Sequence, residues 1–400
     1  MSRQRVLFIT IDFHKEDEIK ESFSVASIIS YCQNKGIDWI VTRISINANS
    51  CVANQIREIR PQLIENDIVM FGLYSWSEKY AKLIIENKTI NNVLCFGGYN
   101  VCRSNIKELE KKYPEVNHFI VGYAEESVYQ LVTNINSNKV LNNGIDEKYL
   151  GGIYGNKILE LNDSIRTIRF FTKLGCFYQC DYCAHRDVNK NLIVSIPLDK
   201  VKLDLALIKN YNIDKVNFID PTFNLQENYL EITKYLVEIC FPHLVSLQVS
   251  FNSISDDFLD LCEKLNCVLE FGVQDINEMI TEKVNRRQKM ETVNLVISKL
   301  NKRKIKHELS FIFGLPYQTI EHVEEDIKWV NEHIDPKICK IVFNRLMILQ
   351  GTTLYNRKEE FLIIEEDFDG IPFVKETKWM NQQEMCKVLV RLKDLKYIVE

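Results

Sequence analysis

The sequence predicts an α/β protein that contains two parallel-sheet domains and a C-terminal cap. Its 400 residues exceed the usual size of a single hydrophobic core. Short apolar, β-branched runs alternate with helix-length segments in both halves of the chain, which is the pattern of parallel β/α units. An Asn- and Gly-rich stretch at 141–163 separates the two series and predicts a linker. We therefore expect domains at 1–140 and 164–354 and a helical cap at 355–400.

The first domain is predicted to be a doubly wound sheet. Its predicted strands lie at residues 4–11, 39–44, 68–73, 93–96 and 118–121. Ligands of such sheets bind beyond the carboxyl ends of the strands. The candidate binding positions are therefore the residues that follow the strands, at 12–14, 74–76, 97–99 and 122–126.

The second domain repeats a strand-helix unit six times. Its predicted strands lie at residues 167–171, 215–219, 245–251, 268–273, 307–313 and 339–346. The predicted helices lie at residues 198–209, 226–240, 255–265, 290–303 and 319–333. Such a series forms an open or closed barrel whose active site lies at the strand carboxyl ends.

Three closely spaced cysteines follow the first strand of this series. Cys176, Cys180 and Cys183 are separated by three and two residues, so their thiolates can share one inorganic cluster. A four-iron cluster held by three cysteines keeps one iron open to a small molecule. The alternative is a structural zinc site in which His185 is the fourth ligand.

This spacing, with Tyr182 just before the third cysteine, resembles the signature of the radical S-adenosylmethionine (radical SAM) superfamily. The resemblance implies a partial (β/α)6 barrel and a [4Fe-4S] cluster on Cys176, Cys180 and Cys183. It also implies that SAM binds the open iron and is cleaved to a 5′-deoxyadenosyl radical. An external electron donor such as flavodoxin or ferredoxin would supply the electron.

The resemblance extends to the ends of later strands and implies contacts with SAM. Asp220 stands where an acceptor for the SAM amine is expected, and Gln248 and Ser250 where the ribose or carboxylate is bound. Other implied SAM-binding residues are Tyr182 beside the cluster, Gln274, Arg286 or Arg287 near the methionine carboxylate, and Gly314 and Pro316 near the adenine.

The first domain resembles the Rossmann-like cobalamin-binding domain that often precedes a radical SAM domain. Gly97 and Gly98 would permit close backbone approach to the macrocycle, and Ser75 would offer a hydroxyl. His14 is a candidate cobalt ligand, although its surroundings lack the glycine of the Asp-x-His-x-x-Gly pattern. The alternatives are a pair of glycines that only turn the chain and a polar histidine at a strand end.

These features favour a radical SAM enzyme that depends on cobalamin and methylates an unactivated carbon of a small metabolite or peptide. One alternative is a corrinoid-independent radical SAM enzyme that catalyses epimerisation, crosslinking or rearrangement. Another is a zinc-stabilised binding protein.

The net charge of −5 gives no sign of a nucleic-acid-binding surface. The apolar run that ends near Asp12 is too short for a signal peptide, and no segment is long enough to span a membrane. We therefore expect a cytoplasmic protein with reduced thiols, in which the other cysteines act mostly as small buried hydrophobes.

Overall fold

The computed structural model describes residues 3–135, 137–186 and 193–399. The described chain divides into two compact units. The first comprises residues 3–135, 137–168 and 194–213, and the second comprises 169–186, 193 and 214–399. Within these ranges, no helix combines the length and the apolar character needed to cross a membrane.

The strands and helices are numbered in chain order. The strands are β1 (Gln4–Asp12), β2 (Trp39–Asn47), β3 (Ile68–Gly72), β4 (Val93–Gly97), β5 (His118–Ile120), β6 (Val140–Leu141), β7 (Thr167–Phe170), β8 (Lys173–Leu174), β9 (Val194–Ser195), β10 (Lys215–Phe218), β11 (Leu244–Val249), β12 (Cys267–Gln274), β13 (His307–Phe313), β14 (Cys339–Arg345), β15 (Ile364–Phe368), β16 (Ile371–Glu376) and β17 (Ile398–Val399). The helices are α1 (Phe23–Asn34), α2 (Val52–Glu58), α3 (Arg60–Glu65), α4 (Ala81–Asn87), α5 (Ile106–Lys112), α6 (Glu125–Val132), α7 (Leu198–Ile208), α8 (Tyr229–Glu238), α9 (Asp256–Cys262), α10 (Glu278–Lys283), α11 (Met290–Arg303), α12 (Ile320–His333), α13 (Thr353–Asn356) and α14 (Gln382–Asp394).

The first unit is built on a six-stranded parallel sheet in the order β2-β1-β3-β4-β5-β6. Strand β1 is buried along most of its length, as expected for a central strand of a doubly wound sheet. The strand order reverses at β1, which has β2 on one side and β3 on the other. The carboxyl ends of β1 and β3 therefore border the topological switch point, where ligands of such sheets bind.

Residues 141–163 are packed into the first unit, so the predicted linker is corrected. Leu150, Ile153 and Tyr154 are buried, and the α7 residue Asp204 accepts a hydrogen bond from the Gly155 amide at 2.7 Å. Burial raises the pKa of Asp204 to about 6, while the amides of residues 152–155 oppose that rise. The high Asn and Gly content of this stretch made its buried apolar residues difficult to predict. Helix α7 was predicted to be part of the barrel but belongs to the first unit.

The second unit has a seven-stranded parallel sheet in the order β17-β14-β13-β12-β11-β10-β7. All six strands predicted for the barrel are present, and their sequential order confirms the partial β/α barrel. Along β12 and β13, buried residues alternate with partly exposed ones, because only one face of the sheet is covered.

The C-terminal region is not purely helical, which corrects the prediction of a helical cap. It contains the antiparallel hairpin β15-β16, helix α14 and strand β17, which pairs with β14 and extends the main sheet. Asp369 and Gly370 both have positive φ, 53° and 88°. This is the conformation that a two-residue Asp-Gly hairpin turn requires. The Asp-Gly pair was therefore the sequence signal for the hairpin.

Candidate functional site

The cysteine loop begins at a buried carboxylate. Asp220, just after β10, is fully buried, and its Oδ1 accepts hydrogen bonds from the amides of Thr172 and Lys173, both at 2.8 Å. Its Oδ2 accepts a bond from the Thr172 hydroxyl at 3.2 Å. Burial raises the pKa of Asp220 to about 6, and Lys173 and the two amides oppose the rise. Asp220 therefore positions the loop, and its expected contact with SAM stays a prediction.

A second carboxylate anchors the middle of the loop. The Asp181 amide donates to the Val284 carbonyl at 3.0 Å, and its carboxylate accepts from Asn285 Nδ2 at 2.8 Å. Leu354 donates its amide to the Asp181 carbonyl at 2.8 Å, and Arg357 lies 3.6 Å from the carboxylate. These contacts tie the loop to the segment after α10 and to α13.

Two of the three candidate cluster ligands are buried. Cys176 and Cys180 are buried and Cys183 is partly exposed. Burial raises the pKa of the Cys180 thiol and raises that of Cys183 to about 11. Both other thiols influence Cys183 electrostatically, and Tyr182 lowers the pKa of Cys180 against the effect of burial. The predicted ligands are therefore neighbours in one loop.

The chemistry of this donor set fits an iron-sulfur cluster, because thiolates are the usual cluster ligands. A bound metal deprotonates a coordinating thiol outright, despite burial that favours the neutral form. In the described parts of the chain, no three His, Cys, Asp or Glu side chains are grouped as ligands of a single ion. Three thiolates on a four-iron cluster each bind a different iron and need not converge on one point.

Arg286, and not Arg287, faces the cysteine loop. Its side chain is nine-tenths buried, and its Nη2 donates to the Gly272 carbonyl at 3.0 Å. The guanidinium lies 4.9 Å from the centre of the Tyr178 ring, and it interacts electrostatically with the Cys180 thiol. Arg287 is exposed. Since the two arginines are adjacent in the segment after α10, only the path of the backbone shows which side chain points toward the loop.

The end of β12 is shaped by Gly272. A Cβ at this position would collide with Gln274 Nε2 and would lie 3.5 Å from Arg286 Nη2. Gln274 has a φ of 70°, and the register of β12 with β13 shifts between these residues. A non-glycine residue in this conformation is uncommon and is found most often at functional sites. Gln274 and Arg286 therefore share the space above Gly272.

Ser250 is joined to the cysteine loop. The Tyr178 hydroxyl and the Ser250 hydroxyl are 2.6 Å apart, and Asn252 Nδ2 donates to Tyr178 at 3.1 Å. The buried Asn224 donates to the Ser250 carbonyl at 2.9 Å and accepts from its amide at 2.8 Å. Gln248, two residues earlier on β11, is exposed. Gln248 and Asn252 are therefore open to solvent, whereas Ser250 and Asn224 are buried.

Thr222 has unusual backbone geometry beside Cys176. Its φ is 96°, a region that β-branched residues rarely occupy. Its Oγ1 lies 3.9 Å from Cys176 Sγ. Backbone strain of this kind persists where the surrounding structure enforces it and is concentrated at functional sites.

The turn after β13 is buried and held from both sides. Gly314 has a φ of 90°, and its amide donates to Gln318 Oε1 at 2.7 Å. Gln318 Nε2 donates to the buried carboxylate of Asp275 at 2.8 Å. A Cβ on Gly314 would lie 3.0 Å from Met385 of α14. Pro316 is also buried. Their expected role beside the adenine stays a prediction.

In the first unit, His14 belongs to a short polar chain at the end of β1. His14 Nε2 lies 2.9 Å from Ser45 Oγ, which donates to Asp12 Oδ2 at 3.2 Å. Burial lowers the pKa of His14, and Asp12 opposes that shift. Ser75 donates to Asn100 at 3.4 Å. Both candidate residues thus have protein partners.

Aromatic rings cluster at the carboxyl ends of β1, β3 and β4. Tyr74 and Trp76 are stacked with centroids 4.9 Å apart and an interplanar angle of 4°. Phe13 lies 5.7 Å from Trp76, and Tyr99 lies 6.2 Å from Tyr74. Phe13 and Tyr99 are exposed. This aromatic platform, formed by Phe13, Tyr74, Trp76 and Tyr99, lies beside the topological switch point.

The close backbone approach at Gly98 is made by the protein itself. Gly98 has a φ of 106°, and a Cβ there would lie 2.7 Å from the Leu73 carbonyl oxygen. At Gly97 the nearest atom would be Ile120 Cβ at an ordinary 3.6 Å. The close contact with Leu73 is therefore enough to explain why a glycine stands at position 98. Its contact with cobalamin stays a prediction.

A comparison with protein families matches residues 172–330 to the Radical SAM superfamily. The match begins at Thr172, which bonds Asp220, and includes all three cysteines. Residues 172–330 therefore form a radical SAM domain. A radical SAM domain implies a [4Fe-4S] cluster and SAM. A search of curated proteins finds no match.

Solved structures share the fold of both units. The radical SAM methyltransferase TsrM from Kitasatospora setae, with cobalamin and a [4Fe-4S] cluster bound, superposes with a TM-score of 0.74 at 12% identity, covering 98% of this chain and 91% of that one. The cobalamin-dependent radical SAM enzyme OxsB, with aqua-cobalamin and SAM bound, has a TM-score of 0.68 at 11% identity, covering 98% of this chain and 67% of that one. At these identities the similarity establishes the fold.

Sequence reasoning missed several residues of the radical SAM domain. Lys173 is almost completely buried next to the cysteine loop, Thr222 contacts Cys176, and Asp181 anchors the loop. Lys173 carried a usable signal, since it is a charged residue three positions after the end of β7 and three before Cys176. Thr222 carried none, because its φ is not visible in the sequence.

Proposed function

We propose that this protein is a cobalamin-dependent radical SAM enzyme that methylates an unactivated carbon of a small metabolite or peptide. The supporting observation is the similarity of 98% of the chain to a methyltransferase structure that contains both cobalamin and a [4Fe-4S] cluster. The similarity spans the doubly wound sheet as well as the barrel. A corrinoid-independent reaction would require only the radical SAM domain.

In this proposal Cys176, Cys180 and Cys183 hold the cluster and leave one iron for SAM. The bound cluster supplies one-electron cleavage of the SAM sulfonium, using an electron from an external donor such as a flavodoxin or ferredoxin. Asp220 and Asp181 hold the loop through hydrogen bonds to its backbone and to neighbouring segments. The protein thus contributes placement and electrostatics, as is general for cofactor enzymes.

SAM would bind along the strand ends next to this loop. Gln248 on β11 is exposed, while Gln274 and Arg286 share the space above Gly272. Arg286 carries the charge that can pair with the methionine carboxylate. Ser250 and the turn at Gly314 and Pro316 complete the proposed SAM-binding set. Of the two candidate arginines we assign the carboxylate contact to Arg286, because it is buried against Tyr178 of the cysteine loop.

Cobalamin would bind the first unit at the carboxyl ends of β1 and β3. The aromatic platform offers flat apolar surface at the position where doubly wound sheets bind nucleotides and related ligands. The Nε2 atom of His14 is already bonded to Ser45. This contact favours cobalamin that is not ligated through this nitrogen.

The test is anaerobic reconstitution with iron, sulfide and hydroxocobalamin. We expect four irons per chain by the three-cysteine scheme, cobalamin that remains bound through gel filtration, and 5′-deoxyadenosine from SAM. Cys176→Ala should lose the cluster and SAM cleavage, whereas Cys386→Ala, which removes an exposed thiol on α14, should retain both. Methyl transfer is then measured with labelled SAM on candidate substrates.

Each other result selects a different function. A cluster with SAM cleavage but no cobalamin retention would support the corrinoid-independent alternative. A colourless protein that contains stoichiometric zinc would support a zinc-stabilised binding protein. Full iron content and SAM cleavage in Cys176→Ala would contradict the ligand assignment.

A further inference from the structure

A buried lysine lies next to the first cluster cysteine. Lys173 is 1% exposed, and its ammonium donates a hydrogen bond to the carbonyl of Gly175 at 3.0 Å. Gly175 directly precedes Cys176, and the charge of Lys173 interacts with that thiol. The ammonium is therefore placed at the peptide group that joins Gly175 to Cys176.

This ammonium has no close carboxylate partner. In the described parts of the chain Lys173 belongs to no ion pair within 4.0 Å. Asp220, which follows β10 and attracts Lys173 electrostatically, directs its oxygens to Thr172 and to the backbone amide of Lys173. An ammonium carries three donors, and one of them is bonded to Gly175. Most of its charge is therefore not neutralised by direct contact.

Burying such a charge is costly unless something compensates it. An isolated ammonium in the interior loses the solvation that water provides and usually sheds its proton. Burial lowers the pKa of Lys173, while Asp220 and Cys176 oppose that shift. A [4Fe-4S] cluster with three thiolates carries net negative charge in both of its common oxidation states. The described protein groups do not place a negative charge in direct contact with the Lys173 ammonium. A bound cluster would supply the negative charge that compensates it.

The same charge affects cluster reduction. Reduction adds one electron from an external donor of the ferredoxin or flavodoxin class and makes the cluster more negative, with no bond broken. A fixed positive charge stabilises the reduced form more than the oxidised form, and low dielectric strengthens this effect. We propose that Lys173 raises the reduction potential of the [4Fe-4S] cluster by holding a buried positive charge beside Cys176. This inference rests on the cluster of the proposed function and not on its methyl transfer.

The experiment is a redox titration of the reconstituted cluster without SAM, followed by electron paramagnetic resonance of the reduced form. In Lys173→Met the ratio of reduced to oxidised cluster at a fixed potential should fall at least tenfold, which corresponds to about 59 mV for a one-electron couple. Lys173→Gln should shift in the same direction. Lys173→Arg keeps the charge and should retain the wild-type potential, as should Lys264→Met, which removes an exposed lysine.

Circular dichroism and iron content are measured for each variant, so that folding and loading are known. A loaded Lys173→Met or Lys173→Gln cluster at the wild-type potential would overturn the inference. So would folded neutral variants that fail to load iron, because the charge would then serve assembly and not potential. If the wild type itself forms no cluster, the proposed function fails as well, and the two failures are thereby distinguished.

Discussion

At the scale of single residues, the cysteine loop depends on side chains that are distant in sequence. Asp220 lies 44 residues after Cys176, yet it accepts the amides of Thr172 and Lys173 that begin the loop. Asp181 and Arg286 hold the other side. The three thiols can be ready for a cluster only if these partners restrain a segment that has little regular structure of its own.

We predict that Asp220→Ala lowers cluster loading. The substitution leaves two buried amides without their acceptor, at a cost of about 1–3 kcal/mol for each unsatisfied group. Iron content after reconstitution should fall, with an apparent melting temperature below that of the wild type. Asp257→Ala removes an exposed carboxylate from the same unit and is the matched control. Wild-type iron content in Asp220→Ala would show that these bonds do not organise the loop.

At the scale of elements, a glycine at position 98 allows the segments after β3 and β4 to pack closely together. Gly98 follows β4 and packs against the backbone of Leu73, which follows β3. The Leu73 amide donates to the Gly97 carbonyl at 2.6 Å, and the Asn100 amide donates to the Leu73 carbonyl at 3.1 Å. The two strand ends are thus locked together next to the aromatic platform.

We predict that Gly98→Ala destabilises the protein while Gly97→Ala does not. At position 98 the methyl group would meet the Leu73 carbonyl at 2.7 Å in a backbone conformation that L residues avoid. The cost should be about 1–3 kcal/mol in the free energy of unfolding. Urea unfolding of the two variants measures the difference. Equal stability would mean that the junction relaxes without cost.

At the scale of the whole molecule, the chain combines two units that each present ligand-binding positions at strand carboxyl ends. The first has its topological switch at β1 and β3, and the second carries the cysteine loop after β7. Because each proposed site is built within its own unit, binding of cobalamin and assembly of the cluster should be separable by mutation.

We predict that Trp76→Ala weakens cobalamin binding without loss of the cluster. Loss of the Trp76 indole removes the stacking partner of Tyr74. The affinity for cobalamin should therefore fall roughly tenfold, which corresponds to about 1.4 kcal/mol. Trp39→Ala, at the amino end of β2, is the control for loss of an indole from the same sheet. Affinity is measured by titration with hydroxocobalamin, and iron content by chemical assay. If both variants bind cobalamin with the same affinity, cobalamin does not bind at the aromatic platform.

The sequence by itself determined the features that depend on local spacing. The three-cysteine loop, the two series of strands and the turn at Gly314 are all set by residues within a few positions of one another. The bounds of β13, predicted and observed at His307–Phe313, follow from residues at alternate positions that are buried on one face of the sheet.

Only the tertiary structure decided which side chains meet. The bonds from Asp220 to the loop backbone are visible only in the structure, and the choice between Arg286 and Arg287 depends on the path of the chain after α10. The stretch at 141–163 has the composition of a linker but is fixed by Asp204 on α7. In each case the deciding partner lies on a different element, and its position depends on strand register and helix packing that local sequence patterns do not encode.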